Sequence, residues 1–218
     1  MAAGVMQPAR RASLLPILLL VTTVAAFELG GKLLDYVQNE FGTEARARLE
    51  TWQNLQKMAA SAPIERKLSL VNSFFNRARF INDIKHWGEE DYWATPVELL
   101  ATNGGDCEDF SIAKYLTLKS MGVPDDQLRI TYVKALELNQ AHMVLAWYPT
   151  PDADPLILDN LINEIRPASQ RPDLEPVYSF NGEGLWSNRA GDRNRRIGEA
   201  AKLQRWNDLN SRLLESLR

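Results

Sequence analysis

The chain has 218 residues, 45% of them hydrophobic and 24% charged, with a formal net charge of -3. That balance fits one globular domain whose core needs no staples. The slight acidity leaves no electrostatic footprint for a nucleic-acid partner.

The first 26 residues stand apart. Arg10 and Arg11 precede an apolar run over 14–26, interrupted by Pro16 and Thr22-Thr23, which ends in Val24-Ala25-Ala26. A basic region, an apolar stretch and small residues at its end make up a secretory signal peptide. The run is short for a membrane span. The alternative is an uncleaved anchor. Cleavage leaves a domain over 27–218 with 23 basic against 28 acidic residues, since Arg10 and Arg11 go with the leader.

The periodicity then predicts helices. Residues 31–40 carry Leu33, Leu34 and Val37 at helical spacing, and Gly42-Thr43 breaks them. Thr43 caps a second helix with Leu49, Trp52, Leu55 and Met58 on its apolar face. Residues 60–63 form a turn. A third helix over 64–80 presents Leu68, Val71, Phe74 and Phe75. Residues 82–91, with His86 and Trp87, read as a charged loop. Thr95-Pro96-Val97-Glu98 is a strong helix start, with a capping Thr, a Pro at the first helical position and a Glu three residues after the cap. That helix must end by Asn103-Gly104-Gly105. The next begins at Asp106 or Cys107, ends near Gly122, and buries Ile112, Tyr115, Leu116 and Leu118.

Beyond Gly122 the period shortens. Residues 128–135, 141–148 and 156–158 read as consecutive strands with short turns, which favours an antiparallel sheet. Three prolines within 165–184 make that stretch mostly irregular, with a short strand at Val177-Tyr178. A terminal helix is expected over 195–217, with Ile197, Ala201, Leu203, Trp206, Leu209 and Leu213 as its apolar positions. Helices first and a sheet second is an α+β pattern.

The only cysteine, Cys107, stands at the start of a helix behind two glycines. Helix-end amides and the dipole favour a thiolate there and can stabilise charge on a substrate oxygen. One cysteine makes no internal bridge. An exported chain that relied on disulfides would carry pairs. The flanking acids and glycines argue against an inert core thiol. His142 opens an alternating strand in which Val144, Ala146 and Tyr148 share its parity, while Met143, Leu145 and Trp147 face the other way. Asp159 ends the next strand. If these strands are neighbours, both side chains reach one sheet edge, where the Cys107 helix can meet them. Cys107 would then attack a carbonyl carbon, His142 would move the proton, and Asp159 would orient the imidazole. The plainer readings are a structural histidine and a turn-capping aspartate. Tyr92 and Trp93 are candidates to line the region.

Asp106, Glu108 and Asp109 surround the thiol and oppose its ionisation. They suit the N-terminal turn of a helix. They equally suit a hard cation such as Ca²⁺, with backbone carbonyls and Asn103 as further oxygen donors. No EF-hand loop and no cysteine-histidine zinc set is present.

Four segments together resemble the bacterial transglutaminase-like cysteine proteinases: Asp91-Tyr92-Trp93-Ala94-Thr95-Pro96-Val97-Glu98, Gly105-Asp106-Cys107-Glu108-Asp109, Ala113-Lys114-Tyr115 and Ala141-His142-Met143-Val144-Leu145. The resemblance spans about residues 30 to 180. It implies a papain/transglutaminase-like fold, with the nucleophile helix packed on an antiparallel sheet, and a Cys107-His142-Asp159 triad. It implies calcium beside the nucleophile, held by Asp106, Glu108 and Asp109. It further implies a periplasmic endopeptidase that cuts a large repeat-containing surface adhesin near its N-terminus, releasing the adhesin and dispersing biofilm. An inner-membrane cyclic di-GMP receptor is the implied inhibitor, and the surface around Trp186 or Trp93 is where it would dock. A transglutaminase using the same thioester chemistry and a non-catalytic binding module are the competing readings. Intact Cys107, His142 and Asp159 argue against the module.

Overall fold

The computed structural model describes residues 29–188 and 194–216, so the expected leader over 1–26 lies outside the described residues. Helices α1 (Gly31–Phe41), α2 (Thr43–Ala59) and α3 (Ile64–Phe75) open the chain. Gly42, at φ 89°, is the residue that caps α2, and Thr43 is its first helical residue rather than its cap. A left-handed φ at this tight joint suits glycine. The buried face of α2 is Ala45, Leu49, Trp52, Gln56 and Ala59. Met58 is 78% exposed and Leu55 only half-buried, so the stripe lies one step around from the apolar pattern. The polar Gln56 is tolerated inside because Ser120 Oγ donates to its Oε1 at 2.6 Å.

Helix α3 ends at Phe75, five residues before the sequence expectation. Arg79–Phe80 (β1) instead pair in parallel with Gly104–Gly105 (β2). A one-turn helix, α4 (Asp83–His86), lies in the expected loop. Helix α5 (Pro96–Thr102) starts with the expected capping box: Glu98 N–H donates to Thr95 Oγ1 at 3.2 Å, and Thr95 N–H to Glu98 Oε2 at 2.7 Å. It stops at Asn103, whose φ of 56° places it in the left-handed region.

Helix α6 (Cys107–Ser120) is the centre of the molecule, and every residue from Glu108 to Leu118 is buried. A helix covered on all sides shows no single apolar stripe, which is why its predicted four-residue face understated its burial. Trp52 Nε1 of α2 donates to Thr117 Oγ1 at 2.8 Å, satisfying both buried polar atoms.

The sheet contains β3 (Leu128–Ala135), β4 (Gln140–Trp147), β5 (Leu156–Leu158), β6 (Arg166–Pro167), β7 (Leu174–Phe180), β8 (Leu185–Ser187) and β9 (Arg195–Gly198). Its order is β6-β5-β4-β3-β7-β8-β9, and all the pairings are antiparallel. The stretch over 165–184 holds more strand than expected: β6, and a seven-residue β7 where only Val177-Tyr178 was expected. Pro176 is accommodated because the register shifts beside it, where Val133 opposes Pro176 but Tyr132 opposes Tyr178. A proline without an N–H is tolerated at such a bulge. The terminal helix is also shorter than expected. Residues 195–198 pair with β8, Gly198 ends that strand, and α7 (Gln204–Ser216) begins only after a 3-10 turn; Ile197 is 43% exposed. Residue 217 lies outside the described residues. Trp206, Leu209 and Leu213 of α7 are buried as predicted.

The two-residue alternation of β4 divides the core. Met143, Leu145 and Trp147 join Leu128, Ile130, Leu158 and Phe180 on the face packed with α6. Val144, Ala146 and Tyr148 join Val133 and Ile157 in a small cluster on the other face.

Candidate active site

The chain enters α6 along a track that only glycine fits. A Cβ on Gly104 would lie 2.6 Å from Ile81 Cδ1, and one on Gly105 would lie 2.5 Å from Asp109 Oδ2. Both residues are extended and paired with β1, so close approach, not a hinge, demands the missing side chain. Asp109 Oδ2 accepts the Asp106 N–H at 3.1 Å, tying the first turn back on itself. This sets Cys107 at the first helical position, partly buried. Ser111 Oγ, one turn on, reaches both Cys107 O at 2.9 Å and Met143 O at 3.0 Å. The nucleophile turn is thus fastened to β4 at the residue after His142.

The thiol donates to Glu108 Oε2 at 3.0 Å. Burial is the largest influence on it and Glu108 the next; together with Asp106 they push the thiol well above its ordinary range, against a hydrogen bond from the Met143 backbone. This is the repulsion that the surrounding acids predict.

His142 and Asp159 meet inside the protein, 5% and 1% exposed. Leu145 pairs with Leu158, which makes β4 and β5 neighbours and brings the two side chains to one edge. His142 Nε2 lies 2.8 Å from Asp159 Oδ1. Burial, the largest effect, works against the Asp159 charge. His142, the Leu161 N–H at 3.0 Å and Arg171 outweigh it and hold the carboxyl down to about 2. An ionised carboxylate only accepts, so Nε2 carries the proton and Nδ1 is left for exchange with a thiol. Arg171 Nη2 grips Asp159 Oδ2 at 2.8 Å and Asp173 Oδ2 at 2.8 Å, and is 3% exposed. Spacing gave no sign of Arg171, because its role depends on a turn folding back over β5.

A second cluster surrounds the start of α6. Carboxylate oxygens of Asp83, Asp106 and Asp109 lie within 4.8 Å of one another. Burial and then the charge of Asp106 push Asp83 up to about 7, while the Tyr92 N–H, 2.5 Å from its Oδ2, opposes the shift. Burial and then Glu108 push Asp106 up to about 8. Asp109 rises well above its usual value, through burial first. Among the described residues, Asp83 Oδ1 and Asp106 Oδ1 are buried with no hydrogen-bond partner. Crowded carboxylates with unspent oxygens fit a hard cation, and an all-oxygen set suits Ca²⁺ better than the neighbouring set of Asp106, Cys107 and Glu108. Asp83 was missed because it lies on α4, more than twenty residues upstream in an apparent loop. Asn103, the residue that ends α5, is tied to β1 through its backbone, its carbonyl accepting the Arg79 N–H at 3.1 Å.

The profile of the bacterial transglutaminase-like cysteine proteinases (BTLCP) matches residues 37–174. The chain belongs to this cysteine proteinase family. Solved structures of Legionella pneumophila LapG agree. One has 48% sequence identity and a TM-score of 0.73, covering 84% of this chain and 96% of that one. An EGTA-treated form has 48% identity and a TM-score of 0.74, over 84% and 96%. A calcium-bound form has 47% identity and a TM-score of 0.72, over 84% and 97%. No curated protein sequence matches the chain. The fold of this proteinase is therefore the expected mixed α+β, transglutaminase-like one.

Tyr92 OH is spent on Glu98 Oε1 at 2.9 Å, and Trp93 Nε1 on Asp91 Oδ1 at 2.9 Å. Trp93 is 7% exposed and stacked on Phe180 at 5.4 Å. Trp186 is half-buried beneath the Arg129 guanidinium, 4.4 Å from its ring.

Proposed function

We propose that this cysteine proteinase is a calcium-dependent periplasmic endopeptidase that cuts a large repeat-containing surface adhesin near its N-terminus. The observation that carries the mechanistic part is the buried His142-Asp159-Arg171 chain, fastened beside the Cys107 turn. A histidine donated to an ionised aspartate is a base held in one tautomer. Cys107 gives its proton to His142 and its sulfur attacks the scissile carbonyl carbon. The charge that develops on oxygen faces the N-terminal amides of α6. His142 then returns the proton to the departing amine, leaving a thioester. Water, deprotonated by the same imidazole, hydrolyses that thioester and releases the acid.

Calcium, held by Asp83, Asp106 and Asp109 with Glu108 nearby, would supply positive charge against the acids that oppose the thiolate. The calcium-bound and EGTA-treated forms of the related LapG support this assignment. The basic-then-apolar start of the chain supports export to the periplasm. Among the described residues, no helix is long and apolar enough to cross a membrane. A cyclic di-GMP receptor of the inner membrane is the proposed inhibitor.

The test is incubation of the calcium-loaded chain, and of Cys107→Ala, with the N-terminal segment of such an adhesin. Mass spectrometry should find one cut for the wild type and none for the variant. An intact segment, or cutting by the variant, removes the proposal. Incorporation of an added amine in place of water would assign acyl transfer instead.

A further inference from the structure

The segment 91–94, between α4 and α5, is held from two sides. Its N–H groups serve the acids beside α6: Tyr92 N–H donates to Asp83 Oδ2 at 2.5 Å, and Ala94 N–H to Asp109 Oδ1 at 2.6 Å. Its carbonyls serve α7: Asp91 O accepts Arg205 Nε at 2.8 Å, and Trp93 O accepts Arg212 Nη2. These four bonds involve only two peptide groups. Asp91 C=O and Tyr92 N–H are the ends of one, and Trp93 C=O and Ala94 N–H are the ends of the other. Among the described residues no peptide bond is cis. In a planar trans peptide the carbonyl and the N–H point in opposite directions. An arginine that fixes the carbonyl therefore aims the N–H, and its charge polarises the group so that the N–H donates more strongly.

Helix α7 has its own seat without these arginines. The Trp206 ring lies edge-on to Tyr115 at 5.7 Å and to Phe180 at 5.5 Å, and Leu209 and Leu213 are buried. Arg205 and Arg212 stand two turns apart, on one stripe. Their hydrogen bonds and ion pairs go to residues 91–98. Arg205 Nη2 binds Asp91 Oδ2 at 2.9 Å, and the Arg212 guanidinium lies 4.3 Å from the Tyr92 ring, with Nε 3.8 Å from Glu98 Oε1. Asp91 takes a φ of 59°, which is sparsely populated for a residue with a side chain. Arg205, on both its carbonyl and its carboxylate, secures that conformation.

We propose that Arg205 and Arg212 are positioning residues of the calcium site: through two peptide groups of the 91–94 segment they fix how the Asp83 and Asp109 carboxylates are held, and so set the affinity for the ion. The proposal deepens the calcium assignment made above and rests on it. With Asp83 Oδ2 taken by Tyr92, Oδ1 is the oxygen that has no partner among the described residues. Asp109 is held at both oxygens, by the N–H groups of Ala94 and Asp106. Outer hydrogen bonds of this kind orient metal-binding carboxylates, and their loss weakens binding ten-fold or more. Coupling between sites is reciprocal, so calcium should in turn fasten α7.

The experiment is calorimetric titration of calcium into the chelator-stripped full chain. It compares wild type, Arg205→Met, Arg212→Met, Arg212→Lys and Arg196→Met. The Met variants at 205 and 212 should bind about ten-fold more weakly. Arg212→Lys, which keeps a charged donor, should recover most of that loss. Arg196 pairs with Glu199, away from the segment, so its variant should bind as wild type does. Melting of Arg205→Met in chelator should barely change, because an ion pair this exposed adds little to stability. Hydrogen exchange over 206–213 should slow when calcium is added to wild type, but not when it is added to Asp83→Asn. Wild-type affinity in both Met variants, or exchange in α7 indifferent to calcium, overturns the proposal. If Arg212→Met does not fold, Arg205→Met and the exchange measurement decide. A wild type that binds no calcium faults the metal assignment itself, and the proposal falls with it.

Discussion

Removing calcium should make the stability of this protein fall with rising pH, and restoring it should abolish that fall. The group that sets the scale is Asp83, 4% exposed and pushed from 3.8 to about 7. Holding that carboxyl ionised in the metal-free fold costs about 4 kcal/mol, from 1.36 kcal/mol per pKa unit. In the unfolded chain Asp83 loses its proton near 3.8. In the fold it keeps that proton until about 7. Between those values the native state binds more protons, so stability falls as pH rises through the window and levels off above it. Asp106, pushed up to about 8, extends the fall in the same direction. Calcium at roughly 100-fold over its Kd should add about 2.7 kcal/mol. For a domain of this size that is a Tm rise of roughly 5–10 °C. Urea unfolding at pH 5, 7 and 9, in chelator and in calcium, measures both effects. Asp83→Asn should be more stable than wild type in chelator at pH 9, and should lose the calcium-dependent rise. A metal-free protein of constant stability from pH 5 to 9, or an Asp83→Asn variant with an intact calcium response, would refute the argument.

Two other outcomes follow from the site. Arg171→Met leaves Asp159 buried with an unmatched charge, and should cost about 3–5 kcal/mol in denaturant at pH 7. Since Asp159 is held down to about 2, wild type keeps this contribution above 3.8 and loses it only as pH falls toward 2; the variant should lose stability at higher pH, and an unchanged acid profile would count against the pair. In chelator, Glu108→Gln removes the carboxylate that accepts the Cys107 thiol, so iodoacetamide should alkylate Cys107 about ten-fold faster at pH 8. Equal rates would show that Glu108 does not restrain the sulfur.

The fold of the described residues was largely readable where a local rule decides. The Thr95/Glu98 capping box, the start of α6 at Cys107 and the alternation along β4 each depend on neighbours within four residues, and each is present. The failures share a cause. Residues 76–80 continue a helical pattern, yet Arg79 and Phe80 pair with Gly104 and Gly105 more than twenty residues away. Prolines over 165–184 suggested irregular chain, yet β7 lies between β3 and β8, with a bulge absorbing Pro176. Arg195 to Gly198 were joined to the last helix, but the edge of β8 recruits them. Strand pairing across long separations overrides local preference because its hydrogen bonds come from elsewhere in the chain.

The amino-acid order alone determined which groups are chemically able to act: a lone thiol at a helix start, one histidine and one aspartate on successive strands, and acids flanking the thiol. Folding decided what those groups experience. It buried Asp159 between His142 and Arg171, brought Asp83 from α4 to Asp106 and Asp109, and left Lys114 in the core. Side-chain type is written locally, whereas desolvation and the distance between charges depend on elements that meet only when the chain is packed.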